Sequence, residues 1–235
     1  DAGEDPPALN PWIQWVTLHS GRSFAEHGVF HLGDAPSSNV PMLWDAVCAA
    51  GHSAWLCGSM NISVKPGFKG WILPDPWDAQ TKATPAEFDK YMKLVRAYVL
   101  EHTSGRRPVT LATAAQFMGF MLRHGLRPST ALRIARHLVD ERLNDSSWKR
   151  ASVLDWLQFD VFRYIWKRHR PMLATLFFNS TAHYQHAFWR NMQPELFTIK
   201  PSEREQRSKK DAVLFGYQQM DRIVGDVLKF VTPDT

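Results

Sequence analysis

Pro41-Met42-Leu43-Trp44-Asp45-Ala46-Val47-Cys48-Ala49-Ala50-Gly51, followed at once by Ser53-Ala54-Trp55-Leu56-Cys57-Gly58, decides the fold class. The first run has the grammar of a helix: Asn39 stands where a cap belongs, Pro41 enters and Gly51 stops. The second is short, apolar and bounded by Gly58, the pattern of a strand buried on both faces. A helix that turns within two residues into a buried strand is half of an α/β unit. Upstream, Pro11–Gly21 repeats the helix grammar, with Asn10 as its cap. Downstream, Met172-Leu173-Ala174-Thr175-Leu176-Phe177-Phe178-Asn179 reads as a second buried strand, and Ala212–Phe230 as a long amphipathic helix. Lys200–Asp211 is expected to be a surface connection or that helix's first turn.

Between the strands the pattern changes twice. Residues 60–84, rich in Gly, Pro and Trp, carry no sustained periodicity and are expected to form a long ordered loop. Apolar residues then recur at three-and-four spacing in Phe88–Leu100, Leu111–Leu122, Thr130–Leu143 and Val153–Trp166, which predicts four helices. The expected organisation is an N-terminal α/β part (1–84), a helical insertion lobe (85–170), and a C-terminal α/β part (171–235) returning to the same sheet. Two strands make no stable sheet. Either strands hide in 60–84 or the chain is part of a larger α/β domain, and the second reading is preferred.

Composition narrows the class. With 235 residues, 44% of them hydrophobic and 22% charged, the chain can bury a core without disulfides or structural metal, which excludes disordered, collagen-like and disulfide-scaffold classes. No uncharged apolar run approaches the ~20 residues that span a bilayer, so no membrane span is expected. The opening Asp-Ala-Gly-Glu-Asp-Pro-Pro reads as a mature or truncated start. Cys48 and Cys57 form no paired motif and read as reduced thiols, a lean towards a cytoplasmic setting. Three tripeptides, starting at Asn61, Asn144 and Asn179, match the glycosylation pattern but carry no weight alone.

The net charge of +5 belongs to one segment: residues 123–170 hold eleven Lys and Arg against five Asp and Glu, and the rest is close to neutral. Such a run attracts anions, although a solvated helical face is its commoner meaning. No nucleic-acid motif accompanies it, so nucleic-acid binding is a minor reading. Trp12, Trp15, Trp44, Trp55 and Trp71 sit at apolar helix or strand positions and read as core. Glu26-His27, at a helix-ending turn, reads as structural hydrogen bonding rather than an acid–base pair.

The densest candidate site follows the second strand, where open α/β sheets bind their ligands: Asn179-Ser180-Thr181-Ala182-His183-Tyr184-Gln185-His186-Ala187-Phe188-Trp189-Arg190. On a helix, His183 and His186 share a face and can converge on a metal ion or a phosphate. Zinc asks for three or four protein ligands, and the plainer alternative has one His packed and the other exposed. Asn10, Asn179, Trp189 and Arg190 are the candidate substrate contacts.

Phe177-Phe178-Asn179 followed by Thr181–Arg190 resembles the strand-to-helix segment of the alkaline phosphatase superfamily, most nearly its type I phosphodiesterase and nucleotide pyrophosphatase branch. Thr17–Phe30 is similar to that family's helix end and Gly…His-Gly-Val turn, and Leu43–His52 to its next helix and strand entry. The likeness covers about 100 residues. It implies an open sheet with a helical cap, metal-assisted hydrolysis of a phosphorylated small molecule, zinc or another divalent metal as cofactor, and His186 as a metal ligand. The sequence also departs from the family: Ala182 stands at the position of a zinc-binding Asp, with His183 beside it, and Asn10 and Pro11 stand where the nucleophilic Thr or Ser is expected. Two functions therefore remain in view, a portion of a phosphoester hydrolase-like domain and a catalytically degenerate member that binds a phosphorylated ligand or a protein partner.

Overall fold

The computed structural model describes residues 10–104, 110–144 and 146–231. The chain is α/β and gathers into two compact units. One comprises the chain up to Gly125 together with Phe162–Phe177; the other comprises Leu126–Val161 and the chain from Phe178 onward. The predicted helical stretch 85–170 thus divides between the two.

In the first unit, α1 (Pro11–Ser20) opens as its sequence requires: Asn10 Oδ1 accepts the Trp12 N–H at 3.0 Å, Pro11 occupies the first turn and Gly21 ends the helix. A one-turn helix α2 (Phe24–His27) follows, in which Glu26 accepts the Ser23 N–H at 2.9 Å. That bond and the Arg22 guanidinium lower the Glu26 carboxyl to about 2. His27 is structural: its Nδ1 accepts from the Val29 N–H, so its Nε2 carries the proton and donates to Thr17 Oγ1. Helix α3 (Leu43–Ala49) begins at Met42, whose N–H is bonded by Asp45 at 2.9 Å, so the cap lies three residues past Asn39.

The sheet has three parallel strands in the order β2-β1-β3, with β1 at Ala54–Cys57, β2 at Gly70–Leu73 and β3 at Leu173–Leu176. Ala54 pairs with Gly70 on one side and with Leu173 on the other. β2 corrects the reading of 60–84 as loop throughout and supplies the strand missing from the two-strand count. Its four residues, hemmed by Gly70 and Pro74, are too few to show a period. Gly70 is forced there: at φ +138°, a Cβ would lie 1.9 Å from the Ala54 carbonyl oxygen.

β1 is buried along its whole length, as a central strand must be. Its alternate residues face different partners. Ala54 and Leu56 join Val16, Met42, Trp44, Ile62 and Ile72 in one core. Trp55 packs on Phe88 and Phe162 and donates from Nε1 to the Phe162 carbonyl at 3.3 Å. Of the five tryptophans expected in the core, Trp44 and Trp55 are fully buried and Trp12, Trp15 and Trp71 half-buried. Buried Asn61, in left-handed backbone just after β1, uses all four hydrogen-bonding positions of its amide. It donates to the Trp12 and His31 carbonyls and accepts from the Gly33 and Ala35 N–H groups. Helices α4 (Asp89–Ser104) and α5 (Leu111–Arg123) pack through Tyr91, Phe117 and Phe120.

The second unit holds α6 (Pro128–Leu143), residues Ala151–Val161 of α7 (Ala151–His169), α8 (Ser180–Met192), α9 (Glu203–Lys209) and α10 (Ala212–Leu228). The stretch expected to be a connection or a first turn thus carries a helix of its own, α9. Helices α8 and α10 approach closely at Gly216, where a Cβ would meet Tyr184 Cδ2 at 2.5 Å. Tyr184 is fully buried; its hydroxyl meets Ser152 Oγ at 2.9 Å and donates to the Lys149 carbonyl at 3.1 Å. Among the described residues no helix is long and apolar enough to cross a membrane.

Candidate functional site

Three residues after β3 the chain enters α8, and every candidate after the second strand falls on this helix or its threshold. Asn179 is the half-buried residue before the first turn. Its side chain makes no capping bond; the buried carboxylate of Asp155 does that work, accepting from the Ser180 hydroxyl and backbone N–H. One turn on, His183 and His186 stand three residues apart and exposed, while Tyr184 between them points into the core. This is the shared face that the spacing predicts. Trp189 and Arg190 follow, half-buried. Asn10 belongs to the first unit, where its side-chain oxygen is engaged in capping α1.

The metal reading needs more donors than this pair. Among the described residues no group of three or more His, Cys, Asp or Glu side chains is gathered in a way that could hold an ion. Two imidazoles on one face do not complete the four-coordinate sphere that zinc prefers, and Ala182 brings no ligand atom. Cys48 and Cys57 form no disulfide with each other; Cys57 is buried and Cys48 half-buried against the Lys69 backbone.

Several cations of the basic segment are already committed. Arg127 bonds Asp160 through both its backbone N–H, at 2.9 Å, and its guanidinium, and reaches Asp226 at 3.4 Å. Arg133 lies over Trp156 and Arg170 over Trp166. Lys149 pairs with Asp140 at 2.9 Å, and Arg150 with Glu141.

Sequence reasoning missed the buried acids. Asp155, 6% exposed, has its carboxyl pushed up to about 7 because burial disfavours its charge, despite the two bonds from Ser180. The signal was a carboxylate within the apolar run Val153-Leu154-Asp155-Trp156-Leu157. Asp75, just beyond β2 and 1% exposed, is likewise raised to about 7, by burial and by nearby Asp78. One carboxylate oxygen of each of these two is buried without a partner, and Arg96 reaches the Asp78 carbonyl at 2.6 Å. Prolines on both sides of Asp75, directly after an apolar triplet, were its only mark in the sequence.

No family model, no curated protein and no solved structure matches this chain. Function is therefore argued from the residues themselves.

Proposed function

We propose that the chain is a portion of a phosphoester hydrolase-like domain of the alkaline phosphatase superfamily's phosphodiesterase type, with His183 and His186 as its contacts to metal or phosphate. The observation that carries this reading is the passage from a parallel strand, through Phe177-Phe178-Asn179, into a helix with two exposed imidazoles on one face. Parallel α/β sheets bind ligands beyond the carboxyl ends of their strands. The three stretches that resemble the family fall on the end of α1 with α2, on α3 leading into β1, and on β3 leading into α8. In such hydrolases two metal ions clamp the attacking and leaving oxygens of a phosphoryl transfer. This chain's part is the imidazole pair, held in place by the Tyr184 anchor and by Asp155 at the start of α8.

A second reading, a catalytically degenerate domain that binds a phosphorylated ligand or a protein partner, is favoured by Ala182 and by the shortage of gathered donors. Elemental analysis of the purified protein separates the two, run beside a His183→Ala/His186→Ala variant and turnover of bis-p-nitrophenyl phosphate. Stoichiometric zinc or manganese that disappears in the variant together with turnover supports the hydrolase. A folded protein with neither metal nor turnover supports the binding domain.

A further inference from the structure

We propose that the second unit carries an oxyanion site, separate from the histidine pair, that takes a phosphate monoester. An open groove of about 390 Å³ runs between residues 146–149 and helix α9, and its wall includes Ser146, Trp148, Lys149, Arg204 and Arg207. No carboxylate lines it among the described residues. The cations are placed rather than merely abundant. Asp140 bonds Lys149 Nζ at 2.9 Å, and the same ammonium lies over the rings of Trp148 and Phe215, so its position is set. Arg204 and Arg207, three apart on α9, share a face. That helix is pinned at its start, where Ser202 and Glu205 exchange hydrogen bonds.

Arg204 has no acidic partner among the described residues. Arg207 meets Glu203 at 3.3 Å, but both side chains are largely exposed, and such a pair yields easily to a competing anion. Ser146 is 4% exposed, and its hydroxyl lies against the Asp140 carboxylate. Two guanidiniums and an ammonium around a short groove match one tetrahedral oxyanion. They offer no track for a polymer, which needs a long groove with successive stacking platforms.

The test is calorimetric titration of the full chain with inorganic phosphate and, separately, with phenylphosphonate, a non-hydrolysable monoester mimic. With His183→Ala/His186→Ala as the background, so that the histidine pair contributes nothing, saturable binding of one ion per chain is expected, weakened at least about tenfold when Arg204→Gln/Arg207→Gln is added. Tighter binding of phenylphosphonate assigns the site to monoesters, and equal binding assigns it to the free ion. Absence of saturable binding in that background, or equal affinity with the arginine replacements added, overturns the proposal. The arginines are exposed and outside any core, so their replacement leaves folding intact, which circular dichroism checks. Because the phosphate titration is run without the histidine pair, on which the metal and turnover assays depend, failure of this site and failure of the hydrolase reading give different patterns.

Discussion

Replacing Asp155 by Asn should make the protein more stable at neutral and alkaline pH, although it removes a charged group that bonds twice to Ser180. The argument is one of linkage. In the folded chain, burial holds the Asp155 carboxyl up at about 7, against 3.8 for an ordinary aspartate. Below about pH 4 both folded and unfolded chains are protonated there, and the group has no effect on stability. As pH rises from about 4 to about 7, the unfolded chain releases the proton and the folded chain keeps it, so stability falls; beyond about 7 the full penalty stands. The difference corresponds to about 4 kcal/mol, an upper bound for a site that can relax. Asparagine keeps an oxygen that accepts from Ser180 and does not titrate. Urea unfolding followed by circular dichroism between about pH 5 and about pH 8 should show the wild type losing about 2 kcal/mol more than the variant over that range. Parallel loss in the two proteins would refute the account of how α8 is capped.

Other outcomes follow from particular contacts. Gly70→Ala forces a Cβ to within 1.9 Å of the Ala54 carbonyl oxygen at a φ that L residues avoid, and should cost about 3 kcal/mol or more in thermal unfolding. A loss under about 1 kcal/mol would mean that β1 and β2 are not held in that register. Tyr184→Phe removes the hydroxyl shared by Ser152 and the Lys149 carbonyl and should lower stability by about 1–2 kcal/mol, read from the urea midpoint. His19, lowered by burial to about 4 between Trp15 and Trp44, acts oppositely to Asp155. Its unfolded form takes up a proton below about pH 6.5 before the folded form does, so stability falls with acidification towards about pH 4, and His19→Phe should flatten that limb of the stability curve.

The legible parts of the fold were those that local chemistry fixes. Asn10, Pro11 and Gly21 mark both ends of α1 within its own sequence, and the buried run Ala54–Cys57 announces a central strand by composition alone. The unread parts depend on partners distant in sequence. β2 is a strand because Gly70 admits the Ala54 backbone, and nothing in Gly70-Trp71-Ile72-Leu73 alone distinguishes it from an apolar loop. The helical spacing of His183 and His186 was readable, as was their common face. That Asp155 caps their helix from 25 residues away was not, because a cap supplied by tertiary structure leaves no mark at the helix start. The same holds for the basic segment: its charge was countable, yet Arg127 is spent on Asp160 and Asp226, while the groove draws two of its cations from α9, outside the segment.

Asn61 heads the tripeptide Asn61-Ile62-Ser63, which a glycosylating enzyme would recognise in an extended chain. In the fold its amide ties α1 and the 31–35 turn to the end of β1, with no atom left over and 1% of the residue exposed. A sugar placed there during synthesis would occupy the nitrogen that must reach the Trp12 and His31 carbonyls. Sugar attachment at this position and completion of the first unit are therefore mutually exclusive. In a host that decorates secreted chains, the race between folding and transfer would decide the yield, and Asn61-bearing glycoforms should be found in the misfolded fraction alone.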